Sequence, residues 1–212
     1  EPMKSQEYSF GFDHQLNATM AVGVRYVHKQ LDYGIEDVGQ LDADQNEIYL
    51  IANPGFGIAS TVYDVNGNTY TTPAYPEAVR DYDSVEFVWN KLLANNWSLR
   101  TSYMWSRLYG NYSGLAQGDE NGRTSPNVGR NFDYPIMSFD ENGQPVYGLL
   151  ATDRPNQFKA QFIYQLPFGT SIGLNQSLAS GIPVTREIGV LPTSNFPVQY
   201  QGRVSDGRMP MY

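Results

Sequence analysis

The chain has 212 residues, a net charge of −8, no cysteine, and 16 Tyr, 10 Phe and 3 Trp. The acidic balance excludes the basic footprint that nucleic acid requires, and the lack of cysteine excludes disulfides, thiolate metal sites and cysteine nucleophiles. Charged residues make up only 17%, against roughly 25% in an ordinary soluble domain, while no run approaches the ~18 apolar residues of a membrane-spanning helix.

Six segments alternate with a period of two, the signature of strands. In the first, Tyr8, Phe10, Phe12 and Leu16 share one face and Glu7, Ser9, Gly11 and Asp13 the other. A tight turn at Leu16-Asn17-Ala18 leads into the second, where Met20, Val22, Val24 and Tyr26 oppose Thr19, Ala21, Gly23 and Arg25. A long connection follows, from Asp32 to Arg80. Within it, Asp42, Asp44 and Asn46 begin like a calcium loop, but Glu47 and Asn53 stand where that loop wants Gly and Glu, so no metal is expected. Asp64-Val65-Asn66-Gly67-Asn68 contains Asn-Gly, the preferred pair for a tight hairpin.

The third segment sets Val85, Phe87, Trp89 and Leu93 against Ser84, Glu86 and Asn90. After a turn at Ala94-Asn95-Asn96, the fourth sets Trp97, Leu99, Tyr103 and Trp105 against Ser98, Arg100, Ser102 and Ser106. A second long connection runs from Gly110 to Arg154 and holds another Asn-Gly turn, Asp140-Glu141-Asn142-Gly143. In the fifth segment Phe158, Ala160, Phe162, Tyr164 and Leu166 face away from Gln157, Lys159, Gln161 and Gln165. Pro167-Phe168-Gly169 turns into a weaker sixth, with Ile172, Leu174 and Leu178 on one face and Ser171, Gly173, Asn175 and Ser177 on the other.

The connections alternate short and long. Two long loops count against a compact soluble domain, but outer-membrane barrels have short periplasmic turns and long external loops. Apolar side chains then meet lipid, where hydrocarbon offers no hydrogen-bond partner, and polar ones meet the lumen. The fold class expected is all-β, an antiparallel up-and-down transmembrane β-barrel. Six strands cannot close in lipid, where bacterial barrels have at least ~8, so the expectation is an arc of a larger barrel in the cell outer membrane. The competing soluble sandwich would have to bury the polar faces.

No catalytic constellation emerges. His14 and His28 lack partners at ligand spacing and read as interfacial side chains. The expectation is therefore a non-enzyme without cofactor or metal. Arg25, Glu86, Arg100 and Lys159 face the lumen, where they touch a plug or a passing solute or simply solvate the wall. Most of the 22 acids lie in the two long connections, together with Tyr63, Tyr70, Tyr75, Tyr134 and Tyr147. Tyrosine pairs an apolar face with a hydrogen-bonding tip. These five are the candidate ligand-binding residues, for a neutral or cationic solute of peptide-like character.

The stretch RDYDSVEFVWNKLLANNWSLRTSYMWSRLYGNYSGL, from Arg80 to Leu115, resembles a barrel hairpin of TonB-dependent outer-membrane receptors, specifically the Oar-like group with a carboxypeptidase-regulatory-like domain. DRPNQFKAQFIYQLPFGTSIGLNQSLASGIPVTR, from Asp153 to Arg186, resembles the next hairpin, with its Asp-Arg-Pro lead-in and Ser-Gly-Ile-Pro exit. Asp206-Gly207-Arg208 resembles a segment leading toward the last strands. The resemblance implies a barrel of about 22 strands, of which residues 1–212 are part of a single domain, with plug and terminal strands outside this chain. It also implies outer-membrane lipid, the TonB complex and a small solute or peptide as partners, and TonB-dependent uptake as the activity. A passive porin and an adhesive or structural surface protein are the alternatives.

Overall fold

The computed structural model describes residues 1–41, 47–56, 62–65, 68–71, 74–114, 132, 135–191 and 194–212. Its strands, in chain order, are β1 (Lys4–Asn17), β2 (Met20–Tyr33), β3 (Glu36–Leu41), β4 (Glu47–Ala52), β5 (Val62–Val65), β6 (Asn68–Thr71), β7 (Arg80–Ala94), β8 (Trp97–Gly110), β9 (Gly148–Leu149), β10 (Asn156–Gln165), β11 (Ser171–Ala179), β12 (Glu187–Leu191) and β13 (Ser194–Tyr200). One antiparallel sheet runs β1-β2-β7-β8-β10-β11, with the short β9 paired to β8. The six long strands are the six alternating segments, joined as a meander. The sheet does not close on itself: it is an arc of a barrel.

The register explains the alternation. Residues directly paired across antiparallel strands share a face. Phe12, Val24, Phe87, Tyr103, Phe158 and Leu178 therefore form one continuous apolar row across all six strands. Phe10, Tyr26, Val85 and Trp105 form the row above it. This face has no protein cover, and Phe10 and Phe12 remain 69% and 67% exposed. The opposite face carries rows such as Asp13, Gly23, Val88, Ser102, Lys159 and Ser177. Inverting the usual soluble arrangement in this way requires an apolar solvent outside and water or protein inside.

The three tight turns lie side by side at one end. Leu92 N–H donates to Thr19 O at 2.8 Å and Gln165 N–H to Asn96 O at 2.7 Å, tying each turn to the next. Asn95 and Asn96 both take left-handed backbone angles, φ 53° and 68°, the geometry of a type I′ hairpin turn. Asn17 closes its turn by accepting from the Thr19 N–H at 2.9 Å. Lys91 belongs to the apolar face by register with Leu99, a position hostile to a charge. Its ammonium bends past the Trp97 ring, 3.9 Å from the centroid, and donates to the carbonyls of Ala94 and Trp97 at 2.7 and 2.8 Å. The stem stays apolar while the head reaches the turn, which is snorkelling.

The long connections are more structured than the sequence reading expected. β5 and β6 pair as a hairpin, and the Asn-Gly pair at 66–67 expected to turn it lies outside the described residues. A second hairpin, β3–β4, precedes it, and a third, β12–β13, follows the sixth long strand. Both escaped the alternation argument. Their strands are five to seven residues long, and Gly189 and Pro197 interrupt the pattern in the third. The buried core, Leu31, Val38, Tyr75, Ala78, Tyr112 and Phe132, sits in this loop end rather than between sheets.

Candidate functional site

Two surfaces can meet a solute: the polar wall of the arc and the folded loops at one end. On the wall, Arg25 pairs with Glu86 in the register, and Glu86 with Met104. Lys159 lies opposite Ser102, and Gln161 opposite Arg100. Arg25, Glu86, Arg100 and Lys159 therefore share the polar face of the sheet. Glu86, Arg100 and Lys159 line one shallow concavity of about 390 Å³ with Ser102, Gln161, Asn175 and Ser177. Arg25 does not line it. Nearer the loops, Lys29 bridges to Glu7 at 2.8 Å on the same face.

The loop end is built by side chains that satisfy backbone groups. Asn111 accepts from the Val79 N–H at 2.7 Å and donates to Glu77 O at 2.9 Å. Asn53 donates to Gly34 O at 2.6 Å, and Tyr112 donates to Ile35 O at 2.8 Å. Such pairing is what lets irregular backbone be buried. Burial, with the Glu36 carboxylate adding to it, pushes the Tyr112 hydroxyl pKa up. Burial likewise raises that of Tyr147, helped by Glu77 and Tyr109.

The candidate tyrosines divide accordingly. Tyr75 is buried in the loop core, against Phe132, and its hydroxyl donates to Gly39 O. It is placed as a buttress of the loops. Tyr147 is half-buried, its hydroxyl 3.4 Å from Glu77 O, and it retains an open edge. Tyr63 and Tyr70 pair across β5–β6. Tyr134, like Asp42, Asp44 and Asn46, lies outside the described residues. Several loop acids have structural tasks. Asp140 accepts from the N–H groups of Asn142 and Gln144, both at 2.9 Å, and so folds its Asn-Gly turn.

His14 stacks on Phe12 on the exposed apolar face. His28 meets the Asp83 carboxylate at 2.9 Å, and Tyr26 donates to the same carboxylate at 2.8 Å. Among the described residues, no group of three or more His, Asp or Glu is arranged to hold a metal ion.

A junction the sequence reading did not anticipate unites the three sequence signatures. Asp153, 2% exposed, forms an ion pair with Arg208 and accepts from the Leu108 N–H at 2.6 Å. Arg208 also donates to the carbonyls of Asp153 and Gly181, both at 3.1 Å. Arg154 donates to Ser180 O at 3.0 Å and lies 4.8 Å from the Tyr212 ring. A Cβ on Gly181 would collide with the Met209 carbonyl. Asp-Arg-Pro, Ser-Gly-Ile-Pro and Asp-Gly-Arg thus meet beside the ends of β8, β10 and β11. Their spacing in sequence hides this, because only the meander brings them together.

Comparison with known proteins adds to this geometry. Residues 1–185 match a family model described as an outer membrane beta barrel domain. The chain is 32% identical over 184 residues to the TonB-dependent transporter Oar of Myxococcus xanthus, a match covering 85% of this chain and 15% of that protein. No solved structure matches.

Proposed function

The chain belongs to the outer-membrane β-barrel domain family, and from that premise we propose that it forms part of the wall and outer loops of a transporter that takes up a solute with energy delivered through TonB. The barrel places it in the outer membrane. The single observation that carries the transport reading is its similarity to the TonB-dependent transporter Oar. The chain spans 15% of that relative's length, so plug, energy coupling and solute belong to the proposal. Two features of the chain support it. The lumen wall is polar and carries charges suited to a solute or a plug. The first long connection folds into two hairpins, and its Val38, Tyr75 and Ala78 share a buried core with Tyr112 and Phe132 of the second, which is how a loop holds a binding surface in place.

In this reading the solute meets the loops first. Tyr147 contributes a hydrogen-bonding aromatic edge, Tyr75 braces the loops from their core, and Tyr63, Tyr70 and Tyr134 remain candidates to join Tyr147 in contacting the solute. The acidic surface there attracts a cationic or neutral solute over about a Debye length. The solute then passes along the polar wall once the occluding part of the protein moves. The test is uptake by the full-length protein in cells with and without the TonB system. Uptake should collapse without TonB. Uptake that continues unchanged would refute energised transport and leave a passive pore.

A further inference from the structure

The second long connection leaves the sheet at Gly110 and rejoins it at Gly148, and these two glycines are paired across β8–β9. Each is pressed by a different neighbour. A Cβ on Gly110 would overlap the Val79 carbonyl, where the first long connection ends. That carbonyl also accepts from the N–H groups of Asn111 and Tyr112, at 3.0 and 3.1 Å. A Cβ on Gly148 would overlap the stem of Arg203, in the segment after β13. Glycine permits such close approach because it carries no side chain. The pair therefore brings three connections together at the rim of β8: the first, the second, and the one that holds β12–β13.

Beyond this joint the second connection is packed on two sides. Toward the first connection, Tyr112 donates to Ile35 O at 2.8 Å, and the Phe132 ring lies between those of Tyr75 and Tyr112, 6.1 and 6.2 Å from them. Tyr147, next to Gly148, reaches Glu77 O at 3.4 Å. Toward the third connection, Gln199 donates from Nε2 to Asp140 O at 2.8 Å. Its neighbour Tyr200 is fully buried, and β13 lies against the short 3-10 helix Pro135–Ser138. Close-packed contacts of this kind transmit strain, and they switch between discrete arrangements rather than deform gradually.

We propose that the three connections open and close as one body, with the second as its two-sided keystone and the Gly110–Gly148 pair as its joint. Loosening either side of the keystone then loosens the hairpin on the other side. The inference concerns the loops with or without a solute, so it stands apart from the transport reading. Where that reading holds, a solute gripped by Tyr147 is gripped at the joint, and its binding is felt in all three connections at once.

The experiment is amide hydrogen exchange, read by mass spectrometry on the full-length protein in detergent. Gly148→Ala pushes the Arg203 stem away and so disturbs the third connection directly. Phe132→Ala empties part of the shared core and so disturbs the first. Each variant should speed exchange about tenfold in both β3–β4 and β12–β13, including the hairpin it does not touch. Exchange in β7, β8 and β10 should match wild type, which shows that the barrel is folded. Glu141→Ala, exposed on the same connection, should change neither hairpin. Should Gly148→Ala fail to fold, Gln199→Ala takes its place. It removes one hydrogen bond to the second connection, and should speed both hairpins about fivefold. Faster exchange confined to the hairpin that a variant touches overturns the proposal, as does unchanged exchange in both. Neither TonB nor a solute enters the measurement, so this inference and the transport reading fail separately.

Discussion

Asp153 is a charged side chain with almost no exposure, and it is tolerated because Arg208 and the Leu108 N–H meet it. Removing one partner of such a pair strands the other, which costs about 3 kcal/mol, the low end of the usual range because Arg208 keeps a quarter of its surface exposed. Asp153→Asn should lower the denaturation midpoint of the refolded barrel in urea accordingly, and Arg186→Gln, at the exposed Asp206 pair, should lower it by under 1 kcal/mol. Tyr112 predicts a pH effect. Its folded pKa is raised, so its contribution is fully present below the ordinary tyrosine value of about 10 and declines as pH rises above that value. Tyr112→Phe should cost about 1 kcal/mol at neutral pH by leaving the Ile35 carbonyl without its donor. It should also flatten the alkaline loss of stability seen in wild type. An alkaline profile identical in the two proteins would contradict this.

At the scale of the strand, neighbours along the chain live in different solvents. Phe87 is half exposed on the apolar row, and Val88 is in the row of Ser102 and Lys159 on the polar face. Arg placed on the lipid side near the bilayer centre costs about 2–4 kcal/mol. Phe87→Arg should therefore destabilise folding into vesicles by that amount, and Val88→Arg by much less. Equal penalties would show that the two faces had been misassigned. Lys91 shows how a strand accommodates a charge on the outer side: the residue stands one hairpin turn from the interface, close enough for its ammonium to reach turn carbonyls.

For the molecule as a whole, a meander with three turns at one end fixes which loops share a compartment. Asn142, exposed in the second long connection, lies at the end opposite Asn95. Single cysteines at these positions, in the full-length protein on intact cells, should react with an impermeant maleimide at 142 and not at 95. Reversed labelling would invert the orientation. The open edges of the arc carry the same lesson. Ala179 already exchanges backbone hydrogen bonds with Tyr212, at 2.8 and 3.2 Å, so the segment after β13 returns to lie beside β11. The Asp153–Arg208 junction holds that return in register.

What the sequence by itself determined is the two-solvent pattern. A period of two over ten or more residues, with Phe12, Phe87 and Phe158 on one side and Arg25, Glu86 and Lys159 on the other, admits one face in lipid and one in water. The turn residues Asn17, Asn95 and Gly169 then set the strand order, because short links leave only antiparallel neighbours. The loop hairpins β3–β4 and β12–β13 were not legible, since strands of five to seven residues are too short to sustain a period and Gly39, Gly189 and Pro197 break it. Tyr75 and Tyr147 look alike in sequence, yet one is buried and the other opens to solvent, a difference made by which loop packs over each. The tertiary structure alone brought Asp153 to Arg208, because the segment after β13 returns beside β11, and Arg100 beside Lys159, because an antiparallel register sets residues far apart in sequence on adjacent strands.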